Sequence, residues 1–214
     1  PRARYIRTIL LELERIHSHL LWLGIAGHII GFETVLMQAW RIREPVMWLC
    51  ELITGNRKTY GMNLIGGVRR DITSEQYPKI LEVIGKIGAQ LKEVIEAIVG
   101  DTTLHLRLRN VGVLPTEAAR QLCSVGPTVR GSDIAIDSRV NHPYAAYSQV
   151  SPKVISKPEG DIWARTLVRL EETLESISVI QRALGEMPSG EIMADVKEIP
   201  PWREGISYVE APRG

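Results

Sequence analysis

The stretch from Arg4 to Arg43 constrains this chain more than any other part of it. With Leu13 as reference and a step of ~100° per residue, Ile6, Ile9, Leu10, Ile16, His17, Leu20, Gly24, Gly27, His28 and Gly31 all fall within roughly 60° of it. Up to Leu20 the opposite face carries Arg4, Arg7, Arg15 and Ser18, the pattern of an amphipathic surface helix. Beyond it, Leu21, Trp22, Ile25, Ile29, Val35 and Leu36 make the helix apolar all round, which predicts a helix surrounded by others. Gly24, Gly27 and Gly31 lie where a core-facing helix normally carries bulk, each at about 1 kcal/mol against Ala. Something approaches the backbone there, either a packed helix or a cofactor or substrate cavity.

At 214 residues the chain is long enough for a substantial core, as one large domain or two small ones. A net charge of +1 argues against nucleic acid, and no polybasic run argues for a membrane surface. Residues 20–37 come nearest to a membrane span, but His28, Glu33 and three glycines interrupt them, so they read as a buried bundle helix. Cys50 and Cys123 are far apart and neither belongs to a C-x-x-C, which disfavours a disulfide framework and favours a reduced intracellular setting. The chain opens on Pro1 and stops at Gly214 just after an expected strand, and residues 1–214 are read as an internal fragment with no targeting segment in view.

Glu44-Pro45 marks an expected helix boundary, with a short helix over Val46–Ile53 closed by Thr54-Gly55-Asn56. Residues 57–72 carry Gly61, Gly66 and Gly67 without a period, a loop that bends sharply or approaches something closely. Thr73 or Ser74 is expected to cap a helix over about 75–99 that Gly100 ends. Short helices follow at 104–110 and 116–123, the second capped by Thr116. Residues 124–159 are irregular and too long for a passive connection, which makes them the leading site candidate. Asp161 caps a last helix carrying Trp163, Leu167, Leu170, Leu174 and Ile177, stopped by Gly185 and Pro188, and Ile206–Val209 is an expected strand. The fold class is mainly α: a bundle of long helices with a minor β component and long irregular loops.

His17 and His28 share the stripe but lie about three turns apart, too far for one ion, and the i, i+4 pair of a helical metal site is missing. There is no G-x-S-x-G, no phosphate loop, and Cys50 sits in an apolar helical run where a thiol is inert. Arg130, Asp133, Asp137, Arg139 and His142 place opposite charges in one loop, as an internal salt-bridge network or as catalytic groups. Pro212 fixes the backbone ahead of Arg213, so that guanidinium is aimed from a rigid position. Glu12, Glu14 and Glu33 read as solvated or paired helix charges.

Arg4-Tyr-Ile-Arg7, Glu14-Arg-Ile-His-Ser-His-Leu-Leu-Trp-Leu-Gly24, Arg43-Glu44, Thr54-Gly55, Gly66-Gly67-Val68, Val125-Gly-Pro-Thr-Val-Arg-Gly-Ser132, Asp137 with Arg139, His142-Pro-Tyr144 and Glu210-Ala-Pro-Arg-Gly214 stand in an order that resembles the large subunit of nickel-iron hydrogenases. The type indicated is the membrane-bound, energy-converting or formate-hydrogenlyase one, with the 49 kDa-type quinone-site subunit of respiratory complex I as its cousin. The resemblance covers essentially the whole chain. Three positions separate the cousins: the complex I type has Lys where this chain has Arg213, His where it has Thr59 and Asp where it has Ile29.

The resemblance implies that Arg213 is suspended over a nickel-iron centre with Pro212 on the same wall, and that Arg130 approaches the same core. A charged group in such a dry pocket acts through large electrostatic effects. It also implies two C-x-x-C pairs lying outside residues 1–214, so nickel and iron belong to the intact protein and residues 1–214 hold neither. Implied partners are an iron-sulfur small subunit and membrane subunits, at the cytoplasmic side of a membrane. Apolar surface left bare by those partners favours self-association. The alternatives are a complex I-like subunit of a dehydrogenase using NADH or another reduced carrier, and a metal-free assembly scaffold.

Overall fold

Residues Arg2–Ile29 form α1, the helix around which the others gather, in a computed structural model that describes every residue from Pro1 to Gly214. Its apolar stripe Ile6, Ile9, Leu13, Ile16 and Leu20 is at most 1% exposed. The opposite face is a surface only in part: Arg4 and Glu14 are exposed and Arg7 and Ser18 half-buried, as an amphipathic helix places them. Beside them Thr8, Glu12, Arg15 and His19 are as deeply buried as the leucines, so α1 carries a second, polar buried face and the solvent-facing reading of Arg15 is corrected. The periodicity of polar residues was legible; the identity of what covers them was not.

The helix does not run on to Arg43. Gly31 takes a left-handed conformation (φ +77°), its N–H donates to the His28 carbonyl (3.0 Å), and the Phe32 N–H donates to the Gly27 carbonyl (2.7 Å). This glycine-terminated double bond is a Schellman stop. The chain reverses and α2 (Glu33–Thr54) packs back along α1. Close packing explains the other two glycines, since a Cβ on Gly24 would lie 2.6 Å from Trp40 Nε1 and one on Gly27 2.9 Å from Val35 Cβ. His28 and Gly31 are solvent-exposed rather than facing the long helices, because they lie at the turn itself. Ile25 and Ile29 are exposed as well, so this end of the helix is not surrounded.

Pro45 sits inside α2 rather than at a boundary. It forfeits one backbone hydrogen bond, at a cost of about 3 kcal/mol. Ile42, Val46, Leu49 and Ile53 continue one fully buried stripe across it, and the burial of four such side chains, each about 1.5–3 kcal/mol, holds the helix through. Gly55 (φ +83°) closes α2 as expected.

The loop that follows contains a two-residue hairpin, β1 (Asn63–Leu64) and β2 (Gly67–Val68), paired antiparallel about Ile65-Gly66. Gly67 lies so close to the chain near Met193 that a Cβ would fall 2.0 Å from the Ile192 carbonyl oxygen. The helix α3 (Tyr77–Gly100) packs on α2 and on the later α8 (Ile162–Glu186), which itself lies along α1. Asp161 caps α8, accepting from the Ala164 N–H at 2.8 Å.

Short helices α4 (Thr102–Leu108) and α5 (Thr116–Gln121) lie near their expected places. Neither Thr116 nor Thr73 and Ser74 supplies a side-chain cap; the residues at those helix starts are Pro115 and Gln76. Within 124–159 the chain forms two single turns, α6 (Gly126–Arg130) and α7 (Ser138–Asn141). The strand expected at 206–209 does not form. Ile206 is 88% exposed with no neighbouring strand to pair with, and β-branched residues alone do not make a strand without a ladder. The molecule is mainly α, with the one small sheet.

Candidate functional site

The buried polar face of α1 meets its counterparts from four other places in the chain. Glu12 accepts from both sides of the site: from Arg139 Nη1 at 3.1 Å on each oxygen, from Ser176 Oγ at 2.6 Å, and from the Tyr147 hydroxyl. Arg139 donates onward to Asp137, with Nη2 at 2.6 Å and Nε at 3.0 Å from its two oxygens. Asp137 lies 3.8 Å from Arg130, whose Nε donates to Glu172 at 2.6 Å and whose Nη1 donates to Glu210 at 2.8 Å. His19 completes the line, its Nε2 2.9 Å from the second Glu172 oxygen.

Four carboxylates (Glu12, Asp137, Glu172, Glu210) and four guanidiniums (Arg15, Arg130, Arg139, Arg169) therefore share one dry region, none more than 8% exposed. The charges balance only with His19 neutral. That requires Nε2–H to face Glu172, which leaves Nδ1 as a buried acceptor without a partner. Burial, opposed by Glu172, pushes the His19 imidazole down to about 4. Burial alone raises Glu172, but the bond from His19 and the charge of Arg130 outweigh it and hold the carboxyl at about 2. Burial acts in the same raising direction on Glu12 and Asp137, and their arginine partners bring both below the ordinary range.

Both extremes predict the same acid response. A neutral His19 costs stability once the unfolded chain takes up its proton, so stability falls between about pH 6.5 and 4 as the pH is lowered. The Glu172 contribution is complete above about 4.5 and is lost as the pH falls toward 2. Urea midpoints measured at pH 7, 5.5 and 4 are expected to fall in that order. His19→Gln is expected to remove part of the fall that lies above pH 4.5, the remainder belonging to His17, which is also held down to about 4; an unchanged midpoint from pH 7 to 4 in the wild type contradicts the neutral His19.

Beside this network lies an open cleft of about 290 Å³, lined by Glu14, His17, Ser18 and Leu21 of α1 and by Ala211, Pro212 and Arg213. Arg213 is exposed, and its Nε donates to Ser18 Oγ at 3.2 Å. His17 accepts a short bond from Arg43 Nη2, and burial followed by the charges of Arg43, Lys58 and Arg213 pushes its imidazole down to about 4. It is a neutral acceptor at pH 7. Gly126 (φ +65°) lets the 125–130 turn touch the tail, since a Cβ there would lie 2.6 Å from Gly214 Cα.

Arg213 and Pro212 thus line the open cleft, whereas Arg130 is fully enclosed in the salt-bridge network behind it. Of the other charges in the 130–142 loop, Asp137 and Arg139 join that network. Asp133 is exposed, and His142 stacks on Tyr208 with ring centroids 5.2 Å apart. Glu12 is paired and fully buried, while Glu33 is exposed beside His28. Sequence reasoning misses Glu172 and Glu210 and sets Arg15 on a solvent face. A signal existed: Thr166, Arg169, Thr173 and Ser176 repeat with Glu172 at helical spacing on the buried face of α8, as Thr8, Glu12, Arg15 and His19 do on α1.

The donors within these residues do not suit a nickel-iron centre, which wants clustered soft thiolates. Cys50 is buried in α2 with its thiol raised to about 11 by burial, Cys123 is exposed beyond α5, and no three His, Cys, Asp or Glu converge as a metal site.

Residues 30–211 match the family described as respiratory-chain NADH dehydrogenase, 49 Kd subunit. The chain belongs to that family. Its whole length is 38% identical to hydrogenase-4 component G of Escherichia coli (strain K12), of which it covers 36%. It is 41% identical to membrane-bound hydrogenase subunit alpha of Pyrococcus furiosus, covering 53% of that protein. It is 40% identical to an NADH-quinone oxidoreductase subunit of Phocaeicola vulgatus, covering 41%. Among solved structures, the archaeal membrane-bound sulfane sulfur reductase, a respiratory membrane complex, contains a chain of the same fold, with a TM-score of 0.90 and 28% identity, covering all of this chain and 60% of that one. Relatives on both branches of the family are thus named as oxidoreductase subunits of larger assemblies. No helix of this chain is long and apolar enough to cross a membrane.

Proposed function

We propose that residues 1–214 form the helical core of the catalytic subunit of an energy-converting nickel-iron hydrogenase, interconverting protons and hydrogen and passing electrons to an iron-sulfur partner subunit. The observation that carries this reading is the cleft in which Arg213 stands free, held to α1 only through Ser18, opposite the neutral imidazole of His17. A guanidinium presented there stabilises negative charge brought into the cleft, and a neutral histidine beside it, its Nε2 already accepting from Arg43, adds no charge of its own. Arg213, Thr59 and Ile29 are the residues that favour the hydrogenase branch.

In this reading the thiolates that hold nickel and iron lie outside residues 1–214. Partner subunits cover the apolar surface at the α1–α2 turn and along α4, where Ile29, Met37 and Leu106 are each more than 70% exposed. The assembly sits on the cytoplasmic side of the membrane through those partners. Residues 1–214 prepared alone would leave that surface bare and self-associate.

A second reading, a complex I-like subunit serving quinone reduction from NADH or another reduced carrier, is favoured by the match to the 49 Kd family and by the 40% identity to an NADH-quinone oxidoreductase subunit. The intact protein, purified with its partners, is expected to contain nickel and to reduce viologen dye with hydrogen. Absence of both nickel and hydrogen uptake overturns the first reading. Quinone reduction without nickel establishes the second, and inactivity in every assay leaves an assembly scaffold.

A further inference from the structure

Glu210 is the only buried residue after Leu184, in a tail that is otherwise exposed or half-buried. A carboxylate, not an apolar side chain, therefore anchors this part of the chain. All of its polar groups are engaged. Oε1 accepts from Arg130 Nη1 at 2.8 Å, and Oε2 accepts from the Ser138 N–H at 3.0 Å. Its own N–H donates to the Tyr144 hydroxyl at 3.0 Å, while its carbonyl accepts from Arg15 Nη2 at 2.9 Å. The partners come from α6, α7, the loop after α7 and α1. An apolar anchor tolerates sliding and rotation, whereas a carboxylate held on both oxygens fixes direction as well as depth.

Three residues on stands Arg213. Between them the Gly214 N–H donates to the Ala211 carbonyl at 3.1 Å, closing a turn, and Pro212 restricts the backbone within it. Arg213 itself makes only the one bond to Ser18, so its place over the cleft follows from where the turn is seated. We propose that Glu210 is a positioning residue: it seats the Ala211–Gly214 turn on the buried charge network and so holds Arg213 over the cleft of Glu14, His17 and Ser18. The effect on turnover rests on the hydrogenase reading; the seating does not.

The test uses the intact protein in its complex, with amide hydrogen exchange read by mass spectrometry beside hydrogen-dependent dye reduction. In Glu210→Gln, exchange of the two hydrogen-bonded tail amides, at 210 and 214, is expected to rise about tenfold or more, with protection of α1 and α8 unchanged. Turnover is expected to fall about tenfold with KM for the dye unchanged, as for a displaced group that acts after binding. Glu210→Asp, which keeps the charge, restores part of both. Unchanged tail exchange in Glu210→Gln overturns the proposal. If that variant loses α1 and α8 protection as well, Ser138→Pro decides: at the first position of α7, where proline fits, it removes only the N–H that Oε2 accepts, and tail exchange equal to wild type overturns the seating. A loosened tail with undiminished turnover supports the seating and overturns the role given to Arg213.

Discussion

Arg139→Met is expected to destabilise the fold by about 3–5 kcal/mol, the cost of removing one partner from a buried ion pair. Methionine keeps much of the volume, so the loss is electrostatic rather than a cavity. Glu12 and Asp137 remain buried, and their next cations, Arg15 at 3.5 Å and Arg130 at 3.8 Å, do not hydrogen-bond them. Losing Arg139 leaves the raising effect of burial less opposed and moves both carboxyls up from where the wild type holds them, so the variant loses less stability on acidification. The sign follows: the deficit against wild type is largest at neutral pH and shrinks as the pH falls through the ordinary carboxylate range. The double variant Glu12→Gln with Arg139→Met is expected to be less destabilised than the sum of the single changes. Urea denaturation at pH 7 and pH 4.5 checks both claims. A deficit that is small, or that does not change with pH, shows that the network is not held by charge.

On the proposed hydrogenase reading, Arg213→Lys is expected to lower hydrogen-dependent turnover of the intact protein by about 100-fold, the scale seen when one preorganised donor to developing charge is removed. Lysine keeps the charge but replaces a planar fork by a flexible point charge, and at a site defined by direction that change is not conservative. Stability is expected to change by no more than about 0.5 kcal/mol, because Arg213 is exposed and makes one hydrogen bond. Paired measurement of melting temperature and turnover separates the two effects. Full activity in the lysine variant removes Arg213 from the chemistry and shifts weight to the quinone-site reading, whose branch carries lysine at this position.

Much of the helical frame was legible. The apolar stripes of α1, α3 and α8 and the Asp161 cap follow from spacing and local hydrogen bonding, which depend on neighbours in sequence. Errors fell where distant burial outweighed a local rule. Pro45 reads as a boundary, but the stripe from Ile42 to Ile53 buried against α1 carries α2 through it. Ile206–Val209 has strand-forming residues, but nothing pairs with it. Gly31 falls on the stripe by spacing, yet its left-handed turn ends the helix.

By itself the sequence determined the helix class and the motifs that identify the family, because each is written in residue type and spacing; that helix packing rather than a cavity lies against Gly24 and Gly27 came from the structure. Only the tertiary structure decided that Glu12, Arg15, His19, Arg130, Arg139, Glu172 and Glu210 are one buried array and that Arg213 stands at an open cleft beside it. The physical reason is that a charge on a helix reads the same in sequence whether water or a protein partner solvates it. Here the partners of Glu12 lie up to 164 residues away from it, where Ser176 and the arginine loop close over the carboxylate.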